Sequence, residues 1–221
     1  MHFTVIVDPS DGAGNTSWPS ATFGNAVKRI NLYPNVQTLG YINTAQGTVD
    51  NATIRAQIAT YALWSNVTDE LALHGVYFDQ TPWKDDGAGA ARAYMQIVSV
   101  AARRIAGWAG NRQGLVVYNP GRVPDVGMKA YAPDITVVFE GAYSDVPKKD
   151  ELSARLAAVR SSRENCAMLI HSVPRDLGRG GLRRIVESVR KEVEWLYLTD
   201  LTVNVYTGYS SFWDDWLDVA W

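Results

Sequence analysis

The chain has 221 residues, 47% hydrophobic and 11% aromatic, with 21 basic and 23 acidic side chains and a net charge of −2. That length suits one barrel or one large α/β domain, and the apolar content excludes intrinsic disorder. The balanced charge offers no polycationic surface for nucleic acid, and no run approaches the roughly 18 apolar residues of a membrane span.

The opening Met1 to Val7 is too short and lacks the basic flank of a signal peptide, so secretion would require a leader outside these residues. Phe3 to Val7 reads as a first strand, ending in Asp8-Pro9-Ser10-Asp11-Gly12. Val36 to Ile42 is a second, ending in Asn43-Thr44. Ala52 to Trp64 then places Ile54, Ile58, Tyr61 and Leu63 near helical spacing, with Asp50 or Asn51 as N-cap. A third strand, Gly75 to Phe78, leads into Asp79-Gln80-Thr81-Pro82-Trp83. The Ala-rich helix from Ala90 to Ala106 carries Met95, Val98, Ala102 and Ile105 on one stripe, and Arg103-Arg104 suit its C-terminal dipole.

Leu115 to Tyr118 precedes Asn119-Pro120-Gly121, and Ile135 to Phe139 precedes Glu140-Gly141-Ala142-Tyr143. Helical patterns over Leu152 to Val159 and Leu182 to Val193 flank the strand Ala167 to Ile170, which ends in His171-Ser172. Trp195 to Leu198, ending in Thr199-Asp200, is the seventh strand, and Ser211 to Asp214 starts a closing helix whose Trp213 belongs to the core.

Seven continuous apolar runs, roughly 20 to 40 residues apart and separated by helices, describe βα units around a parallel sheet buried on both faces. The expected fold is α/β, a (β/α)8 TIM-type barrel formed as a single domain over residues 1–221. One strand is lacking from eight, so either a first strand precedes this sequence or the barrel closes imperfectly. A doubly wound open sheet is the other arrangement, but Gly12-Ala13-Gly14 lacks the third glycine and helix start of a dinucleotide loop.

Barrel enzymes carry their chemistry at the C-terminal ends of the strands, where almost every run here ends in a polar side chain. Asp79 and Glu140 stand out because each directly follows a fully apolar strand, at the boundary between a dry sheet and a polar cleft. A helix or turn cap accounts for one isolated acid; two at equivalent positions point to chemistry. His171 is either a proton shuttle or a hydrogen-bonding wall. No metal-binding His or Cys spacing and no Gly-x-Ser-x-Gly elbow occurs, so neither metal nor cofactor is expected. Trp18, Trp83, Tyr143, Tyr209 and Trp213 fall in or beside loops, where rings next to carboxylates suit sugar stacking. The single cysteine, Cys166, reads as a small core residue. Sequons at Asn15, Asn51 and Asn66 lean toward an extracellular protein.

Taken in order, Val5-Ile6-Val7-Asp8-Pro9-Ser10-Asp11-Gly12, Tyr33-Pro34-Asn35-Val36, Leu39-Gly40-Tyr41-Ile42-Asn43-Thr44, Gly75-Val76-Tyr77-Phe78-Asp79-Gln80, Tyr118-Asn119-Pro120-Gly121, Phe139-Glu140, Ile170-His171-Ser172-Val173-Pro174 and Tyr197-Leu198-Thr199-Asp200 run the length of the chain. As a set they resemble the spherulin-4 family and, within it, fungal glycoside hydrolase family 135. The resemblance implies an eight-stranded barrel enzyme, monomeric, secreted or held at the cell surface. Its substrate would be galactosaminogalactan, an adhesive fungal biofilm polysaccharide, cut internally at α-1,4-linked N-acetylgalactosamine. The family's first strand, which normally precedes Phe3, is absent from this sequence. Where the family reads Asp-Glu the chain has Asp79-Gln80, either a natural variation or a deliberate substitution that yields an inactive form, since Gln80 neither donates nor accepts a catalytic proton.

In an α-linked N-acetylgalactosamine the acetamido group lies cis to the leaving group and cannot attack from the opposite face. A protein carboxylate or a water must attack, which makes Asp79 the nucleophile and Glu140 the general acid/base. Gln80 is assigned to substrate contact or the protonation network, and Asp8, Asn43, Trp83, Asn119, Tyr143 and His171 to substrate binding. Consecutive strand residues face opposite ways, so Asp79 and Gln80 share a cleft only if the backbone leaves the strand between them. A sugar-binding protein without turnover, and a glycosidase for another α-galactosaminide polymer, are the other readings.

Overall fold

Parallel strands form where the apolar runs lie, in a computed structural model that describes residues 1–85, 87–131 and 133–220. The chain divides into two compact units, one comprising Met1–Asn119 and Gly127–Asp134, the other Pro120–Val126 with the chain from Ile135 onward.

In the first unit β1 (Phe3–Val7), β2 (Val36–Asn43), β3 (Gly75–Asp79) and β4 (Leu115–Asn119) pair in parallel in chain order. Between them run α1 (Ala21–Asn31), α2 (Asn51–Leu63) and α3 (Ala90–Arg104). Residues in register share a face of a parallel pair. Ile42, Phe78 and Tyr118 align across three strands and belong to the buried core, together with Ile54, Ile58, Met95, Val98 and Ala102 from α2 and α3. The alternate residues, Tyr41, Tyr77 and Val117, then Asn43, Asp79 and Asn119, fall on the other face. Gly40 is required where it stands: a Cβ there would lie 2.5 Å from the ring of Tyr61, which packs over β2 and donates to the Tyr41 carbonyl at 2.9 Å.

Local chemistry sets the helix ends. Asp50 is the N-cap of α2, accepting from the Thr53 amide at 2.9 Å, and Ser20 caps α1 through the Phe23 amide. Leu63, expected on the buried stripe, is exposed, whereas Ala62 and Trp64 are buried. Two residues beyond Tyr61 is roughly 200° around a helix, which turns Leu63 outward.

The second unit pairs β5 (Ile135–Ala142), β6 (Cys166–His171) and β7 (Trp195–Leu198) in parallel, again in chain order. Its helices are α4 (Lys149–Ala158), α5 (Gly178–Val189) and α6 (Trp213–Val219). Leu152, Leu156, Met168, Ile170, Leu182, Ile185, Leu198 and Trp216 form its core. Cys166 is buried there as a small core residue, and Trp213 packs partly buried against the same cluster. The strand expected to stop at Phe139 continues to Ala142, with an irregularity in register between Val137 and Phe139. That bulge re-phases the strand. Val138 and Phe139 both pack on the core, and Glu140, aligned with Leu169, falls on the opposite face together with Ala142 and His171.

Among the described residues no helix is long and apolar enough to cross a membrane.

Candidate active site

β3 delivers Asp79 to the end of the first unit's strands, level with Asn43 on one side and Asn119 on the other. Both oxygens of its carboxylate are engaged. Tyr41 donates its hydroxyl to Oδ2 at 2.9 Å, and Asn119 donates Nδ2 to Oδ1 at 2.7 Å. Two neutral donors on opposite oxygens fix the plane of the group without supplying a counter-charge. Tyr41 stacks with Tyr77, ring centroids 6.3 Å apart, so the donor is held by packing as well. Burial of the Tyr41 hydroxyl, reinforced by the bond to Asp79 and by the charges of Asp79, Asp11 and Asp8, pushes its pKa far above the usual phenol value. It therefore stays a donor throughout the accessible pH range.

The backbone leaves β3 at the next residue. Gln80 has φ +47°, in the left-handed region, its side chain is exposed, and its carbonyl accepts from the Gln46 amide at 2.7 Å and the Thr44 hydroxyl at 2.8 Å. This break allows adjacent residues to address one cleft. Asp8 and Asn43 shape loops. Asp8 Oδ1 accepts from the amides of Gly12 (2.8 Å) and Ser10 (3.3 Å), and Asn43 Oδ1 accepts from the Ala45 amide at 2.8 Å. Trp83 is half-buried with Lys84 Nζ 5.2 Å from its ring centroid.

In the second unit Glu140 is half-buried and its amide donates to the Gly121 carbonyl at 3.1 Å. Gly121 sits at φ +67°, a conformation that favours glycine. Tyr206 donates its hydroxyl to Glu140 Oε1. His171 is half-buried with Nδ1 2.8 Å from the Ser172 hydroxyl. Tyr143 begins a short 3-10 turn after β5 and packs against the unit's core, which limits the ring face available to a ligand. Trp18 and Tyr209 are exposed.

An open cavity of about 470 Å³ lies beside the ends of β6 and β7, lined by Ser172, Arg175, Asp200, Thr202 and Val203 among others. Asp200 is its anchor. The carboxylate, 1% exposed, meets Arg175 Nε at 2.6 Å and accepts from the Ser210 hydroxyl and from the Ser211 amide and hydroxyl at 2.8–2.9 Å. Burial opposes its ionisation, but these hydrogen bonds outweigh burial and lower the pKa to about 2.

Tyr41, Tyr77 and Tyr206 were not among the expected site residues. Period-two alternation already puts Tyr41 on the face of Asn43, and Tyr77 on that of Asp79. No local pattern points to Tyr206, which stands 66 residues from Glu140 in an irregular segment. Among the described residues no group of three His, Cys, Asp or Glu side chains could hold a metal ion.

The profile of the spherulation-specific family 4 matches residues 1–220. The chain belongs to this family. A solved structure of Aspergillus clavatus Sph3, in complex with GalNAc, aligns with a TM-score of 0.90 and 28% sequence identity, covering 99% of this chain and 85% of that one. No curated protein matches the chain. The fold class is thus the TIM-like α/β barrel expected from the sequence, with seven parallel strands among the described residues where a complete barrel has eight.

Proposed function

We propose that the chain is built as an endo-acting glycoside hydrolase of the spherulin-4 family, directed at α-1,4-linked N-acetylgalactosamine in galactosaminogalactan. The observation that carries this reading is Asp79, a carboxylate at a strand's C-terminal end held at both oxygens by Tyr41 and Asn119. It occurs in a chain whose structural relative is a protein in complex with GalNAc. Orientation of this kind is what nucleophilic attack needs, because displacement requires the attacking oxygen in line with the departing one.

In the reaction so assigned, an Asp79 oxygen bonds to the anomeric carbon as the glycosidic C–O bond breaks, and the Glu140 proton passes to the leaving oxygen. Water then attacks the same carbon, giving its proton to Glu140 and releasing Asp79. The anomeric configuration is retained. Asp8, Asn43, Trp83, Asn119, Tyr143 and His171 are assigned to binding or to shaping the loops that bind. The same reading makes the protein a single catalytic domain, monomeric and extracellular, consistent with the exposed sequon residues Asn15 and Asn66.

Gln80 favours a second reading, a sugar-binding protein without turnover, because an amide cannot transfer a proton at this position. One experiment separates the two. The chain and its Gln80→Glu variant are each incubated with purified galactosaminogalactan, and reducing ends and bound polymer are measured. Hydrolysis that rises in Gln80→Glu supports the hydrolase with residue 80 in its proton network. Polymer binding with no cleavage by either form supports the lectin. Equal hydrolysis by both forms removes residue 80 from the chemistry.

A further inference from the structure

The geometry points to Tyr206 as the residue that positions the Glu140 carboxyl group for proton transfer. This role rests on the glycosidase reading of Glu140. A hydroxyl bonded at Oε1 sets where that oxygen lies and how the carboxyl group is turned. Proton transfer to a departing oxygen is sensitive to such placement, since small displacements of a reacting group change rates by large factors.

Both partners are fixed independently of one another. Glu140 lies within β5, behind the bulge that turns it from the core, and its amide is tied to the Gly121 carbonyl. Tyr206 follows β7 in a segment fastened at several points. Tyr197 donates its hydroxyl to the Val205 carbonyl at 2.8 Å, and the Ser172 amide donates to the Leu201 carbonyl at 3.0 Å. Buried Asp200 gathers Ser210 and Ser211 at the far end. The Tyr206 ring lies 5.7 Å from that of Tyr197, which shares the register level of Leu169 and Glu140. Tyr206 thus arrives at Glu140 from a tethered loop, its exposed ring set beside that of Tyr197. A tyrosine serving only to tie the loop would give the same contacts but no dependence on the leaving group.

Tyr206→Phe keeps the ring contact and deletes the hydroxyl alone. In the native chain, the ¹³C carboxyl resonance of Glu140, assigned through its disappearance in Glu140→Gln, should move in Tyr206→Phe while those of Glu151 and Glu187 stay in place. In a Gln80→Glu background, Tyr206→Phe should lower kcat on the polymer on the order of 10- to 100-fold with little change in KM. The loss should be much smaller on an aryl galactosaminide whose leaving group needs no proton. With hydrolysis present and dependent on Glu140, an unmoved resonance, or equal losses on both substrates, overturns the role of Tyr206 alone. No hydrolysis by the Gln80→Glu protein, or hydrolysis that survives Glu140→Gln, overturns the glycosidase reading and the role together.

Discussion

Asp79 is bound by two uncharged donors, and each can be removed without disturbing the strand. Tyr41→Phe deletes the Oδ2 donor yet keeps the ring stacked on Tyr77. A hydrogen bond to a charged group is worth about 1.5–3 kcal/mol, so kcat in a Gln80→Glu background should fall roughly 10- to 100-fold. Unchanged kcat would show that Asp79 needs no orientation from Tyr41. The two carboxylates should also separate kinetically. Asp79→Asn should abolish cleavage of polymer and activated aryl glycoside alike, because the attacking atom is gone. Glu140→Gln should cost on the order of 10²- to 10⁴-fold on the polymer and spare the activated substrate. An NMR-observed first product of α configuration agrees with this assignment; a β first product, or the reverse pattern in the two variants, inverts it.

The elements that present these residues depend on a few close contacts. Gly40 lets Tyr61 lie flat against β2, and Gly40→Ala would drive a methyl group into that ring. Overpacking of this sort costs roughly 1–3 kcal/mol, and a matching loss should appear in urea unfolding, larger than that of Gly208→Ala, where an added methyl would meet only Leu201 at an ordinary 3.7 Å. The segment after β7 depends on Asp200. Asp200→Asn keeps the shape but removes the charge facing Arg175, and it should speed amide exchange from Leu201 to Ser211 before it affects β6 or β7. The helix α1 (Ala21–Asn31) was not foreseen, although Phe23, Val27 and Ile30 recur at helical spacing behind the Ser20 cap. α4 and α5 begin earlier than expected because their first turns, Lys149-Asp150-Glu151 and Gly178-Arg179-Gly180, carry no apolar periodicity.

At the scale of the molecule, two titrations should make stability fall toward acid. Burial holds the pKa of His74 below its usual value, where its Nδ1 accepts from the Thr38 amide at 3.1 Å. Its folded value is depressed, so neutral imidazole favours the fold above the unfolded pKa, and this contribution fades as pH drops below roughly 6.5. Asp200, lowered from 3.8 to about 2, also stabilises the fold above its unfolded value. That contribution, on the order of 2 kcal/mol, is lost between about pH 4 and pH 2. Urea midpoints taken across this range should decline in both windows. His74→Gln should flatten the upper one and Asp200→Asn the lower.

Seven strands, their parallel pairing in chain order within each unit, and the polar residues at their ends were legible in the order of residues alone. Strands buried on both faces leave continuous apolar runs, and the first polar side chain after each marks the end of the dry interior. The order of residues also made Gln80 legible as a break in the pattern, because an amide in place of an acid is visible without coordinates. What holds those residues depends on contacts between distant parts of the chain. Asp79 meets Tyr41 across 38 residues and Asn119 across 40, and Glu140 meets Tyr206 across 66, separations at which periodicity carries no information. The bulge at Val138 belongs to the same class. An extra residue in one strand is defined only against its partner, so the face to which Glu140 turns was settled by pairing with β6.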